Sequence, residues 1–286
     1  MMEQLQSALE RYKQQSSGRP SSPSGGKATV RSVPPPIVYI RTRTIELAEQ
    51  VLQQQRILAG FEQGPFVESY KMLRTQVMHR LRENGWNVLG VTSPNEREGK
   101  TLTAINLAIS LAMEASQTVL LVDADLRSPS VHLVFGLEDC AGIADYLHDE
   151  VPVEDLLLHP GIGRFVFMPG GRPIPRSAEA LTSPKMVALM EELKHRYPSR
   201  VVLIDLPPLL TSSDALAFAP HTDALLLVVE EGRTTVDEVE EALRLVKGAA
   251  PVLGTVLNKA GRSGLNATAM KRLLSRQVIP RFMTRL

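Results

Sequence analysis

Val88-Leu89-Gly90-Val91-Thr92-Ser93-Pro94-Asn95-Glu96-Arg97-Glu98-Gly99-Lys100-Thr101 joins a short apolar run to a helical pattern over 101–116. A phosphate-binding loop has this form: backbone N–H groups and a helix N-terminus cradle phosphate oxygens, a Lys reaches the β- and γ-phosphates, and a Thr hydroxyl binds Mg²⁺. The full pattern G-x4-G-K-[ST] would set Gly at position 94, where the chain has Pro, so only its second half is met. A Gly-Lys-Thr triplet alone carries little. The strand–loop–helix setting gives it weight.

Outward from this junction the chain repeats one plan. Short Val/Ile/Leu-rich runs at 118–125 (TVLLVDAD), 165–168 (FVFM), 201–208 (VVLIDLPP), 224–230 (ALLLVVE) and 252–258 (VLGTVLN) are separated by helical stretches over 184–197 and 234–247. Apolar runs without period-2 alternation, spaced by helices, predict an α/β fold: a mostly parallel sheet with helices on both faces, as in a P-loop NTPase. Right-handed crossovers then gather the strand C-terminal ends along one edge, where ligands bind. Asp123 and Asp125 stand at the end of one run and Asp205 at the end of another. Taken singly, each also fits a strand end whose Asp caps a helix or starts a turn. Together they supply what a Mg·ATP site needs: a metal carboxylate at Asp205, and Asp123 and Asp125 to bind metal or orient the nucleophile.

The three boxes, SPNEREGKT at 93–101, DADLR at 123–127 and DLPP at 205–208, resemble those of the bacterial tyrosine kinases. These are cytoplasmic P-loop ATPases that work with polysaccharide chain-length regulators at the inner membrane. The resemblance covers about residues 40–262. It implies ATP and Mg²⁺ as cofactors. Lys100, Asp123, Asp125 and Asp205 are then the catalytic set, and Thr101, Asp123 and Asp205 the metal set. Glu98, Gly99, Lys100, Thr101, Leu102, Arg127 and Asn258 would bind the nucleotide, Asn258 by contacting the adenine as in related ATPases. Asn106 matches the family too, but an Asn inside a helix equally serves a local bond. The family's first box ends Gly-Glu-Gly-Lys, and Arg97 replaces its first Gly. Arg97 either strains the loop, because its side chain disfavours φ > 0, or offers phosphate a cation.

Family members self-associate through a Glu-x2-Arg-x2-Arg stripe, which here reads Glu68-x2-Lys71-x2-Arg74. Steps of three place these charges on one helix face, and a solvated face reads the same way. The C-terminal tyrosine cluster of the family is missing: the five tyrosines are 12, 39, 70, 146 and 197. The resemblance implies ATPase activity in exopolysaccharide or capsule synthesis or export, leaves tyrosine kinase activity open, and makes an inner-membrane chain-length regulator the expected partner. Two other readings stand beside it. One is a switch ATPase of the partition or division-site type, which would carry Lys where this chain has Asn95. The other is a non-hydrolysing nucleotide-binding scaffold, favoured by Pro94 and Arg97 and opposed by the three carboxylates.

Composition sets the remaining bounds. The 286 residues, with 32 Lys+Arg against 31 Asp+Glu, give a net charge of +1 and no electrostatic case for bulk nucleic-acid binding. One cysteine, Cys140, excludes an internal disulfide, and the six histidines show no zinc-ligand spacing. No apolar leader follows Met1, and runs such as 103–113 are too short to span a bilayer, so a cytoplasmic protein with at most peripheral membrane attachment is expected. Residues 16–36 hold six Ser, five Pro and three Gly. The expected organisation is therefore an N-terminal arm and disordered linker over 1–36, an ATPase domain over 37–262 and a basic tail over 263–286.

Overall fold

The computed structural model describes residues 42–47, 49–57, 65–114, 117–196, 199–260 and 283–286. The arm over 1–36, Tyr12, Tyr39, Tyr197 and the tail cations Lys271, Arg272, Arg276 and Arg281 lie outside these residues. In chain order the elements are β1 (Arg43–Thr44), α1 (Glu49–Gln54), α2 (Pro65–Asn84), β2 (Val88–Thr92), α3 (Lys100–Ala112), β3 (Thr118–Asp123), α4 (Val131–Val134), α5 (Ile143–Asp149), α6 (Val153–Leu156), β4 (Leu158–His159), β5 (Phe165–Met168), α7 (Ser177–Leu181), α8 (Pro184–His195), β6 (Arg200–Asp205), α9 (Asp214–Phe218), β7 (Ala224–Glu230), α10 (Val236–Val246), β8 (Val252–Asn258) and β9 (Met283–Arg285).

One sheet joins the strands in the order β1-β4-β5-β3-β6-β2-β7-β8-β9. Every pairing is parallel except β4 with β5. Both faces of the sheet are covered, which explains the missing alternation in the strand sequences. On β3, Val119 and Leu121 enter one core with Leu73, Val77, Ile105 and Ile109, whereas Leu120 and Val122 enter the other with Leu189, Leu193 and Phe218. Helix α3 is buried almost all round and holds no acidic residue in its first turn and no basic one in its last. Such a helix is held by packing from the sheet on one side and α2 on the other rather than by its own charges.

Two stretches depart from the sequence reading. The spacing over 44–60 predicts a helix, but among the described residues it yields α1 alone, because Ile45 first extends the sheet by donating to His159 O, and Arg56 later turns left-handed (φ 57°). There Ile57 N–H closes the helix on Leu52 O and the Ile57 side chain drops into the core. At the other end, residues 283–285 of the expected tail pair with Thr255, Val256 and Leu257 of β8 as an edge strand. Leu286 N–H bonds Leu257 O, and its buried side chain packs in the same core as α2.

The start of β2 is pinned from outside the strand. Asp223 accepts from Asn87 N–H and Val88 N–H, each at 2.9 Å, and from Lys194 Nζ at 2.6 Å. Burial opposes the ionised form, yet these bonds outweigh it and hold the carboxyl below its ordinary range. Asp223→Ala is expected to cost roughly 2–3 kcal/mol at neutral pH, since it orphans two backbone donors and a cation. A carboxyl with a depressed folded pKa stabilises above its unfolded pKa and loses that effect as pH falls. The wild-type advantage in urea denaturation should therefore shrink on acidification; a gap that stays constant would refute the electrostatic part.

Candidate nucleotide site

Strands β3, β6 and β2 are neighbours, so their C-terminal ends bring the three boxes side by side, with Asp123 in register with Asp205. Lys100, the first residue of α3, points its ammonium into this junction. Its Nζ lies 2.8 Å from Asp125 Oδ2 and 3.7 Å from Asp205 Oδ1. Thr101 Oγ1 donates to Asp205 Oδ2 at 2.6 Å. Burial alone would lower the Lys100 pKa, but the pull of Asp205, Asp125 and Asp123 raises it, so the residue is a cation. Burial, with Asp205 beside it, pushes Asp123 up to about 7. Burial also raises Asp205, against the attraction of Lys100 and the Thr101 bond.

Asp123 and Asp205 differ in what their oxygens already hold. Asp123 Oδ2 accepts from Ser130 N–H and Val131 N–H, both at 2.9 Å, and so fastens the start of α4. Asp205 Oδ1, by contrast, is buried without a hydrogen bond among the described residues. That orphaned oxygen and the Thr101 hydroxyl are hard donors of the kind Mg²⁺ takes, alongside water and phosphate. Asp205 and Thr101 thus fit the metal directly, with Asp123 behind them.

The loop residues Asn95, Arg97 and Glu98 are braced by Thr234, Glu238 and Lys259, which the sequence reading did not single out. The Glu98 carboxylate accepts from Asn95 N–H at 2.9 Å and from the Thr234 hydroxyl. Burial raises the Glu98 pKa despite these bonds. Asn95 Nδ2 donates to Glu238, whose carboxylate also closes the capping box on Thr235 at the head of α10. Lys259 Nζ donates to Arg97 O at 2.7 Å and to Glu230 at 2.8 Å. The one sequence signal that could have pointed there is the T-x-x-E spacing at 235–238, and it marks a helix start and not its neighbour. Arg97 takes φ 63°, so the loop keeps its left-handed turn with a side chain in place of the family's Gly.

Two cavities meet across α3's first turn. One, of about 470 Å³, is lined by Arg97, Lys100, Thr101, Asp125, Arg127 and Thr211 among others. The second, of about 670 Å³, includes Tyr70, Asn106, Asn258 and Lys259, and both share Gly99 and Leu102. Of the residues expected from sequence, Gly99, Lys100, Thr101, Leu102, Asp125, Arg127 and Asn258 line these two cavities, whereas Asp123, Asp205 and Glu98 are fully buried and line neither. Asn106 Nδ2, at the edge of the second cavity, makes the local bond to Leu102 O and also donates to Arg56 O, which lies far back in the sequence.

Residues 89–285 match the CobQ/CobB/MinD/ParA nucleotide binding domain family. The solved kinase domain of the Escherichia coli tyrosine kinase Etk superposes with a TM-score of 0.67 at 30% identity, covering 80% of this chain and 92% of that one. The chain belongs to the bacterial tyrosine kinase family. It is a P-loop ATPase domain, and full-length Etk of Escherichia coli strain K12 is 31% identical to it over 193 residues, 67% of this chain and 26% of Etk. The chain spans less than a third of the length of the first curated relatives it matches. The MinD cell-division ATPase of Pyrococcus furiosus shares the fold more distantly, with a TM-score of 0.55 and 27% identity over 66% of this chain and 79% of that one. Against the division-site switch ATPase alternative, the bacterial tyrosine kinase reading is the better supported one. No helix among the described residues is long and apolar enough to cross a membrane.

Proposed function

We propose that this domain binds Mg·ATP, hydrolyses it and serves exopolysaccharide or capsule synthesis or export together with an inner-membrane chain-length regulator. The observation that carries the reading is the junction of Lys100, Thr101, Asp125 and Asp205 at three adjacent strand ends. Lys100 hands its charge from Asp125 to the β- and γ-phosphates, while the α3 N–H groups cradle them. Asp125, released from Lys100, faces the cavity as the group that orients the attacking water or hydroxyl. Thr101 and Asp205 would hold Mg²⁺, which supplies charge neutralisation on the phosphates. The adenine enters the second cavity against Asn258, with Leu102 along the sugar.

Self-association would use the exposed face of α2. There Glu68 and Lys71 pair at 2.7 Å between exposed Phe66 and Met72. Arg74 is already committed, donating to Ser110 O at 2.8 Å and lying 3.5 Å from Glu114, so it contributes to the fold more than to a neighbour.

Tyrosine phosphorylation is the weaker output. Tyr70 is buried in the α2 core, and burial pushes its phenol pKa up, away from the nucleophilic phenolate. Tyr146 is partly buried against the other core. Incubation with γ-labelled ATP should therefore release free phosphate well in excess of protein-bound label, with none at Tyr70. Stoichiometric phosphotyrosine at Tyr70 would overturn this account, and absence of both phosphate release and label would overturn the ATPase reading.

A further inference from the structure

Asp214, the first residue of α9, is fully buried, and neither of its carboxylate oxygens has a hydrogen-bond partner among the described residues. A buried carboxylate so placed is costly unless a cation answers it. The one that does is Arg127, whose Nη2 lies 3.7 Å from Asp214 Oδ1. That separation balances charge without consuming the guanidinium's donors. The Arg127 side chain is 58% exposed, makes no hydrogen bond among the described residues, and lines the 470 Å³ cavity together with Lys100 and Asp125.

The position of the pair relative to the two cavities decides its role. Asn258 belongs to the cavity on one side of the shared Gly99 and Leu102, and Arg127 to the cavity on the other. A nucleotide with its base beside Asn258 and its phosphates over Gly99 and Lys100 extends its last phosphate toward Arg127. We propose that Asp214 is a positioning residue that holds the Arg127 guanidinium at the far end of the phosphate cavity, ready to fork onto the terminal phosphate of ATP. This rests on the Mg·ATP reading above. A planar guanidinium anchored from behind by a buried carboxylate keeps its remaining N–H groups aimed forward. An unanchored surface Arg is free to turn into solvent.

Calorimetric titration of the full chain with Mg·ATP and Mg·ADP tests the proposal, using wild type, Asp214→Asn, Arg127→Ala and the double variant. The preference for ATP over ADP should fall about tenfold in each single variant, the scale of one charge-assisted hydrogen bond. It should fall no further in the double variant, because both residues act through one contact. A merely structural Asp214 would change the melting temperature and leave this preference alone. Folded Asp214→Asn protein with the wild-type preference, or losses that add in the double variant, would overturn the proposal while leaving the Mg·ATP reading intact. Should Asp214→Asn not fold, Asp214→Glu keeps the charge but shifts the guanidinium by one methylene; an intermediate preference is expected and an unchanged one overturns the proposal. Wild-type protein that binds neither nucleotide would remove the underlying reading and the proposal with it.

Discussion

Lys100→Met is expected to lower ATP turnover by at least about 10³-fold, because it removes the only ammonium that reaches the phosphates from the first turn of α3. The same change should destabilise the protein without nucleotide by roughly 3–5 kcal/mol, the usual cost of removing one partner of a buried charge cluster. Lys100 is the cation among Asp123, Asp125 and Asp205, all three of them buried. The pH dependence follows from the raised carboxyls. A group whose folded pKa lies above its unfolded one stabilises fully below the unfolded value and loses that contribution as pH rises through the folded value. For Asp123 that window runs from 3.8 to about 7. Without Lys100 the charged carboxylates repel one another unrelieved, so the stability defect should be larger at pH 8 than at pH 5. Phosphate release and urea denaturation at the two pH values measure both parts. Unchanged turnover would end the phosphate role of Lys100, and a defect independent of pH would end the electrostatic account.

Gly99→Ala is the second large effect. Gly99 has φ +93°, beyond the left-handed well that an L-residue tolerates, and holding Ala there costs about 1–3 kcal/mol. An added Cβ would also stand 2.1 Å from Asn258 Nδ2. Asn258 would have to move and surrender its 2.8 Å bond to Glu98 O, adding about 1 kcal/mol. Because Gly99 lines both cavities, the shift would disturb base and phosphate positions together. A stability loss of roughly 2–4 kcal/mol is expected, with ATP affinity down at least about tenfold. Asn258→Ala in the same chain should recover part of the stability loss, since it removes the clash but not the strained φ. Additive losses in thermal denaturation would show that Gly99 and Asn258 do not meet.

Much of this protein was legible without coordinates because its central strands are buried on both sides. Runs such as TVLLVDAD and VVLIDLPP have no reason to alternate, and the helices between them leave a parallel sheet as the arrangement that buries both faces. Their closing aspartates and the Gly-Lys-Thr triplet then had to share one edge, since parallel strands point the same way. Local patterning also placed α3, α8 and α10 to within a few residues.

What the sequence by itself could not determine depends on partners distant along the chain. The strands β4 and β9, two and three residues long, exist through pairing with β5 and β8, and no local periodicity marks segments so short. The split of duties between Asp123 and Asp205 is likewise tertiary: both are Asp at a strand end, yet one caps α4 with its oxygen and the other keeps an oxygen open. Arg74 reads as a surface charge until α3's carbonyl end is seen beneath it, and Asp214 reads as a helix-start residue until Arg127 is found above it. Side-chain chemistry and short-range spacing fixed which groups could hold a phosphate and a metal. Which oxygen is free and which cation is anchored was decided by packing, because a buried polar atom's role is set by the neighbours that remain within hydrogen-bond reach after water has been excluded.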